Sequence, residues 1–151
     1  MIEAETAGFL YAEDDPDDQL LAEMAHRESG ARVPLVFVGD GEEVLEYLRR
    51  TGRHSERADQ SDSSIVLLDL NMPGIDGRET LRIMRADQDL RRIPVVILTT
   101  SAAEQDIGAI YEAGANGYIV KPSDFAGLVR IFHSLSTFWF DVSSRAKVAP
   151  R

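Results

Sequence analysis

The chain has 151 residues, of which 44% are hydrophobic, and this is enough for one domain with a buried core. It contains no cysteine, which excludes disulfide bonds and thiol chemistry, and its three histidines lack the spacing of zinc ligands. The net charge of −10 argues against a surface that binds nucleic acid. No apolar run is long enough to span a membrane and the N-terminus lacks a signal-peptide pattern, so we expect a cytoplasmic protein that contacts neither nucleic acid nor membrane.

Five short apolar runs alternate along the chain with five segments that have helix signatures. The runs are residues 9–12, 35–38, 65–68, 95–98 and 117–120. Short apolar runs without strict polar alternation are typical of strands that are covered on both faces. Strict alternation of strands and helices predicts right-handed βαβ units. The expected fold class is therefore α/β, with one doubly wound domain and a parallel five-stranded sheet between two layers of helices.

Capping patterns predict where the helices begin. Asp15 followed by Pro16 is typical of an N-cap and a first helical residue. The spacing of a capping box occurs three times, in the pairs Asp40 with Glu43, Asp76 with Glu79, and Ser101 with Glu104. Residues 51–64 are polar and rich in charge and serine, so we expect a long exposed loop there. We expect the domain to cover residues 1–143 and residues 144–151 to form a flexible tail.

Polar side chains stand where four of the five predicted strands end. Glu13 and Asp14 follow the first strand, Asp69 the third, Thr99 the fourth and Lys121 the fifth. Ligands of open parallel sheets bind beyond the carboxyl ends of the strands, so we expect these side chains on one rim. Three crowded carboxylates repel one another unless a cation neutralises them, and oxygen-only ligands favour Mg²⁺. Lys121 and Thr99 could then bind phosphoryl oxygens, and on this interpretation Asp69 is a nucleophile that becomes an aspartyl phosphate.

Each of these residues also has an ordinary structural interpretation. Either Asp14 or Asp15 could simply cap the first helix, and Asp69 could form the turn before Met72-Pro73-Gly74. Thr99 could be a strand residue without a role, and Lys121 could mark an unremarkable strand exit. Their joint placement at successive strand ends favours a site over five separate coincidences.

The same residues resemble a response-regulator receiver domain of two-component signalling. The resemblance covers residues 9–139 and is carried by four fragments, which are Glu13-Asp14, LDLNMPGIDG at 68–77, LTTS at 98–101 and AGANGYIVKP at 113–122. It implies a flavodoxin-like (βα)5 fold with strand order 2-1-3-4-5. The sequence is particularly similar to standalone receivers that are paired with bacterial and cyanobacterial phytochrome histidine kinases, which implies such a kinase as the partner.

The resemblance implies a role for each matching residue. Asp69 would accept the phosphoryl group, and Thr99 and Lys121 would bind its oxygens. The Mg²⁺ ligands would be Asp14, Glu13 through a water molecule, Asp69 and the backbone carbonyl of Asn71.

Two further features follow from the resemblance. Tyr118 would be the aromatic switch that moves together with Thr99. The Lys121–Pro122 peptide bond would be cis, although most X–Pro bonds are trans.

The last predicted helix carries two apolar stripes. One is expected to pack on the sheet and contains Phe125, Leu128, Val129, Phe132 and Trp139. The second runs through Leu128, Ile131, Leu135, Phe138 and Val142 at steps of three and four. A helix in an outer layer needs only one buried stripe, so the second predicts a homodimer through this helix and the fifth strand. The alternative is that the C-terminal tail folds back over it.

The leading functional hypothesis is a phosphorylated signalling switch that is not an enzyme and acts through protein contact or as a relay. A phosphatase of the Asp-x-Asp type is disfavoured because Asn71 stands where a second aspartate would act as the acid. A flavodoxin-like cofactor binder is disfavoured because the acidic residues 13–15 would repel a phosphate. A dimeric adaptor that works without phosphorylation is the remaining alternative.

Overall fold

The computed structural model describes residues 8–57 and 65–142, with Val142 described by its backbone alone. The strands are β1 (Phe9–Ala12), β2 (Leu35–Val38), β3 (Ile65–Leu68), β4 (Val95–Thr99) and β5 (Gly117–Val120). The helices are α1 (Pro16–Glu28), α2 (Gly41–Arg49), α3 (Gly77–Ala86), α4 (Glu104–Glu112) and α5 (Phe125–Ser136). A 3₁₀ helix (Gly52–His54) follows α2, and a π-helical segment (Thr137–Val142) continues α5. The tail predicted at 144–151 lies outside the described residues.

The strands form one parallel sheet in the order β2-β1-β3-β4-β5, as predicted. Phe9 of β1 lies opposite Leu35 of β2 and Ile65 of β3, so these three strands end at the same level. The α/β class and the alternation of strands and helices are confirmed. Because β1 and β3 are neighbours, the residues that follow them meet at one edge of the sheet.

Apolar side chains fill both faces of the sheet. One cluster joins the sheet to three helices through Leu48 of α2, Leu81 of α3 and Ile110 of α4. The other joins it to α1 and α5 through Ala22, Ala25 and Phe132. All four residues of β3 are buried, which explains why this strand reads as a continuous apolar run.

Four aspartates cap helices in the structure. The side chains of Asp15, Asp40, Asp76 and Asp124 each accept a hydrogen bond from a backbone N–H in the first turn of α1, α2, α3 and α5. The capping box predicted at Ser101 and Glu104 is wrong, because α4 begins after Ala103 and that residue has no side-chain cap. Ser101 lies too far before the helix to cap it, and its Oγ donates to the carboxylate of Asp106 at 2.8 Å.

The first half of the loop predicted at 51–64 is instead packed on α2. Arg53 Nε donates to Glu46 Oε1 at 2.6 Å, and His54 Nε2 lies 2.8 Å from Glu43 Oε2. The guanidinium of Arg57 stacks 4.1 Å from the centre of the Tyr47 ring. The charged side chains of this segment therefore contact α2 and do not only face solvent. Residues 58–64 lie outside the described part of the chain.

The two stripes predicted on the last helix do not remain separate. After Ser136 the chain winds as a π-helix, which changes the rotation per residue and turns Trp139 and Phe140 towards the core. Leu135, predicted at the dimer interface, is only 8% exposed and packs in that core, so little of its side chain is available to a partner. Phe138 is 51% exposed.

The other members of the second stripe differ in their surroundings. Ile131 is half-buried and packs against the same core as Leu135, and the side chain of Val142 lies outside the described residues. The side expected to face the sheet includes buried Phe132 and half-buried Leu128 and Val129, but Phe125 at its start is exposed.

Gly77 holds α3 against the backbone that carries Asp69, and this close approach is testable. A Cβ at Gly77 would meet the carbonyl oxygen of Asp69 and lie 2.9 Å from the Cα of Leu70, both rigid backbone atoms. We expect Gly77→Ala to destabilise the fold by about 1–3 kcal/mol. The matched control is Gly108→Ala in α4, where nothing lies within 4 Å, and alanine should stabilise by about 0.5–1 kcal/mol. Urea unfolding measures both, and effects of the same sign would contradict the packing argument.

Candidate functional site

The carboxyl edge of the sheet gathers most of the predicted site residues. Glu13 directly follows β1 and is 1% exposed, and Asp69 directly follows β3 and is 7% exposed. Thr99 is the last residue of β4 and is buried. Lys121 directly follows β5, and its backbone N–H donates to the Thr99 carbonyl at 2.7 Å. The structure therefore brings together residues that are 108 positions apart in sequence.

The ammonium of Lys121 is the centre of this site. Its Nζ donates to Glu13 Oε1 at 2.7 Å and to Asp69 Oδ2 at 2.9 Å. A third carboxylate oxygen, Asp18 Oδ2, lies 3.6 Å from the same nitrogen. Two buried carboxylates would repel each other strongly, and the cation between them offsets this repulsion.

Burial and charge shift the pKa values of the central groups. Burial raises the pKa of Glu13, against the opposing effects of the Lys121 ammonium and of the Asp15 N–H that donates to its side chain. Burial lowers the pKa of Lys121, but Tyr11, Glu13 and Asp69 outweigh it, so the net shift is upward. Burial also raises the pKa of the Tyr11 hydroxyl. Lys121 is therefore charged at neutral pH.

The remaining acidic residues lie at the rim. Asp14 is exposed, and Asp15 caps α1, which is the ordinary role that the sequence allowed for it. Asn71 is also exposed, and its backbone N–H donates to Asp69 Oδ1 at 3.1 Å. The turn after β3 thus fixes one oxygen of Asp69, while Lys121 binds the other.

Two residues of α1 were missed by the sequence analysis. Gln19 Nε2 donates to the carbonyl of Glu13 at 2.6 Å, and Asp18 approaches Lys121. The sequence did contain a sign of their position, because Pro16 at the first helical position starts α1 directly after the end of β1. The first turn of such a helix must lie over the residues that it follows.

The donor atoms fit a hard cation, although no ready-made cluster of ligands exists in the described residues. No group of three or more acidic or histidine side chains converges there on one point. Of the predicted ligands, Asp14 is exposed, whereas Glu13 and Asp69 are buried and both accept hydrogen bonds from Lys121 Nζ. The donors are oxygens only, and the two buried ones already face a positive charge, which is the chemistry that suits Mg²⁺.

Thr99 and Tyr118 are placed on the side of the sheet that faces α4. Within the described residues, the buried Oγ1 of Thr99 has no hydrogen-bond partner, a state that costs about 1–3 kcal/mol. Tyr118 is half-buried against the core, and its hydroxyl donates to the Ser101 carbonyl at 2.9 Å. The Lys121–Pro122 bond predicted as cis is trans, as every described peptide bond is, which follows the general preference of X–Pro bonds.

The parallel sheet and the charged residues at its carboxyl edge are those of a receiver-type signalling domain, and comparison with known proteins agrees. The chain belongs to the response regulator receiver domain family, which matches residues 9–133. Response regulator Rcp1 of Synechocystis is 33% identical over 132 residues, which are 87% of this chain and 88% of that protein. The Mn²⁺-bound form of Rcp1 has a TM-score of 0.79 at 31% identity, covering 93% of this chain and 99% of that chain.

Two more solved structures are similar over nearly the whole chain. Response regulator RPA3017 in red light signaling of R. palustris has a TM-score of 0.85 and 37% identity, covering 93% of this chain and 98% of that chain. The phosphorylated cyanobacterial phytochrome response regulator RcpA has a TM-score of 0.80 and 34% identity, covering 92% and 97%. The predicted family is therefore confirmed, and phytochrome response regulators are among its relatives. In the described ranges, no helix has the length and apolar character needed to cross a bilayer.

Removing the central cation should destabilise the fold in a pH-dependent way. We expect Lys121→Met to lower the free energy of unfolding at pH 7 by about 1–3 kcal/mol, because two buried carboxylates lose a charged partner. Without Lys121 the pKa of Glu13 rises further above its unfolded value. Since a raised acid pKa favours folding only while the acid is protonated, the deficit should shrink as the pH falls from 7 to 5.

The matched control for Lys121→Met is Arg82→Met. Arg82 pairs with Glu79 on the exposed surface of α3, and such pairs contribute about 0–1 kcal/mol. Urea unfolding at both pH values measures the two variants. A similar, pH-independent loss in both would contradict the assignment of Lys121 as the cation that neutralises the site.

Proposed function

We propose that this protein is a single-domain response regulator that accepts a phosphoryl group on Asp69 from a sensor histidine kinase in the presence of Mg²⁺. The observation that carries the proposal is the pair of donors at the ends of neighbouring strands. Lys121 Nζ lies 2.9 Å from Asp69 Oδ2, and the buried hydroxyl of Thr99 has no partner among the described residues. Both are donors of the kind that a phosphoryl group requires.

The chemistry is an in-line displacement at phosphorus. A carboxylate oxygen of Asp69 forms the new P–O bond, the P–N bond to the donor histidine breaks, and the imidazole leaves with the electron pair. Lys121 and Thr99 bind the transferred oxygens, with Thr99 gaining the hydrogen bond that it lacks. Mg²⁺, held by Asp14, Asp69, the Asn71 carbonyl and, through a water molecule, Glu13, would supply further charge neutralisation when bound.

The conformational signal passes from Thr99 to Tyr118. Thr99 turns towards the phosphoryl oxygens, and Tyr118 swings into the space that this movement opens. In the unmodified protein Tyr118 is fixed by its hydrogen bond to the Ser101 carbonyl, so the movement also releases the segment before α4. A modification shifts an equilibrium only by stabilising one state more than the other, and the new bond of Thr99 provides that difference.

The partner of this domain is a phytochrome-type histidine kinase. RPA3017 is described as acting in red light signaling and RcpA as a phosphorylated phytochrome response regulator, and both align with more than nine-tenths of this chain. The Mn²⁺-bound form of Rcp1 supports a divalent cation in this family. We further infer that the protein acts in the cytoplasm as a phospho-accepting switch and not as an enzyme.

The domain also pairs with a second copy through α5 and the edge strand β5. An open groove of about 440 Å³ lies there, lined by Ile119, Pro122, Gly127, Arg130, Ile131, Ser134 and Leu135. Phe138, 51% exposed, and Val120, 41% exposed, add apolar surface on α5 and β5. A two-fold pairing would place each copy's exposed ring against the other's groove. Ile131 and Phe138 carry this interface, Leu135 contributes only the wall of the groove, and Val142 stays a sequence-based candidate.

Asp69→Asn should abolish phosphorylation because its amide is not a nucleophile for phosphorus. Labelling by acetyl phosphate with Mg²⁺ and detection by intact mass measure the effect. The matched control is Asp89→Asn, an exposed carboxylate on the loop after α3, which should be labelled like the wild type. Persistent acid-labile incorporation in the Asp69 variant would contradict the assignment, and an unlabelled wild type would favour the phosphorylation-independent adaptor.

Ile131→Glu combined with Phe138→Glu should make the protein monomeric, because two charges per copy would be buried at the pair interface. Labelling of Asp69 should be largely unchanged. The control is Leu20→Glu with Met24→Glu, which places the same charges on exposed positions of α1. Sedimentation velocity distinguishes the variants, and a wild type that stays monomeric at high concentration, with and without a phosphoryl mimic, would refute the dimer.

A further inference from the structure

Asp18 contacts the central ammonium of the site without being part of any predicted ligand set. Its Oδ2 lies 3.6 Å from Lys121 Nζ, and its side chain is 45% exposed, in contrast to the buried Glu13 and Asp69. Within the described residues, these three supply all the carboxylates that lie within 4 Å of Lys121 Nζ. Asp18 is therefore the outer, solvent-facing contact of a cation whose other contacts are internal.

The position of Asp18 is fixed by the start of α1. Asp15 accepts a hydrogen bond from the Asp17 N–H at 2.8 Å, which caps the helix directly after the strand. Gln19 Nε2 donates to the Glu13 carbonyl at 2.6 Å and ties the same turn to the end of β1. Asp18 lies between these two anchors, so its backbone cannot drift away from Lys121.

Under the proposed function, the Lys121 ammonium and a divalent cation would both have to lie beside the Glu13 carboxylate. Lys121 donates to Glu13 at 2.7 Å, yet Glu13 must face a divalent cation if Mg²⁺ is to bind. An ammonium and a dication this close to one carboxylate repel each other strongly in a buried site. Lys121 must then leave Glu13 while staying close enough to Asp69 to bind a phosphoryl oxygen.

A small cavity offers the space for this movement. It has a volume of about 90 Å³ and is lined by Tyr11, Asp18, Leu21, Ala22, Lys121, Pro122 and Leu128. Its apolar walls suit the methylene stem of a lysine, and Asp18 is the carboxylate in its lining. The Tyr11 hydroxyl cannot take the place of a carboxylate, because burial raises its pKa and keeps it neutral.

We propose that Asp18 is a positioning residue that receives the Lys121 ammonium when a divalent cation takes its place at Glu13. This inference rests on the proposed phosphorylation of Asp69 and assigns a role to a side chain that the family resemblance left without one. Lys121 moves within the cavity from the inner carboxylate to the outer one. Asp18 thereby keeps the ammonium beside Asp69 and lowers the cost of admitting the metal ion.

The test compares Asp18→Asn with Asp17→Asn. Both changes remove one negative charge from the first turn of α1, so they alter the helix dipole and the long-range field in the same way. Asp18 pairs with Lys121, whereas Asp17 is exposed and follows the capping residue. Calorimetric titration with Mg²⁺ alone should give an affinity roughly two- to fivefold weaker for Asp18→Asn than for Asp17→Asn, the range of a half-exposed ion pair. Asp18→Glu should restore most of the difference.

A second readout follows the lysine itself. In the wild type, the ¹⁵Nζ resonance of Lys121 should shift on Mg²⁺ addition as the ammonium exchanges Glu13 for Asp18, and this shift should be reduced in Asp18→Asn. A purely structural role of Asp18 would leave the Mg²⁺-induced change in this signal intact. Thermal unfolding without metal should differ little between the two aspartate variants, because the Asp18–Lys121 pair is half-exposed.

The outcomes separate this inference from the proposed function. Equal Mg²⁺ affinities and equal Lys121 shifts in the two variants overturn the role of Asp18, while labelling of Asp69 by acetyl phosphate leaves the phosphoacceptor assignment standing. A wild type that binds no Mg²⁺ overturns both, because Lys121 then has no reason to leave Glu13.

Discussion

The site depends on one ammonium group placed between two buried carboxylates. Glu13 and Asp69 follow neighbouring parallel strands, so the strand order β2-β1-β3-β4-β5 alone forces them together. Two buried carboxylates this close repel each other, and the Lys121 ammonium offsets that repulsion through hydrogen bonds of 2.7 Å and 2.9 Å. Because β5 is two strands away from β3, only a long side chain can cross the end of β4 to reach Asp69. The hydrogen bond from the Lys121 N–H to the Thr99 carbonyl fixes the backbone position from which the lysine side chain extends.

Most of the fold could be predicted from the sequence because its determinants are local. The apolar runs mark the strands, and Asp15, Asp40 and Asp76 cap helices as their spacing predicted. Strand order is not local, and it came from the family resemblance instead. The residues at the strand ends could be assigned to one rim because parallel strands all end on the same side.

The incorrect predictions concern features that tertiary contacts decide. Ser101 has the spacing of a cap, but Asp106 and the Tyr118 hydroxyl both bind it, and α4 starts later. The second stripe assumed a regular α-helix, whereas the chain after Ser136 is π-helical and packs the half-buried Phe140 ring 5.4 Å from that of Phe9. Leu135 lies before that change of winding, in the regular part of α5, and it packs in the same core as Phe132 three residues earlier. Lys121 reads as a phosphate ligand in sequence, and only the structure gives its role as the counter-ion of Glu13.

Under the proposed function, the free-energy difference between the unmodified and the modified state arises at the same edge of the sheet. The unmodified protein keeps the Thr99 hydroxyl buried without a partner in the described residues, at a cost of about 1–3 kcal/mol. In the same state the Tyr118 hydroxyl donates a hydrogen bond to the Ser101 carbonyl, and the Ser101 hydroxyl donates one to Asp106 of α4. Under the proposed function, a phosphoryl oxygen would satisfy Thr99 and thereby remove that cost from the modified state alone. A free-energy difference of this size is enough to change a two-state equilibrium several-fold to about a hundredfold. The chain of contacts from Thr99 through Tyr118 and Ser101 to α4 then determines which surface responds.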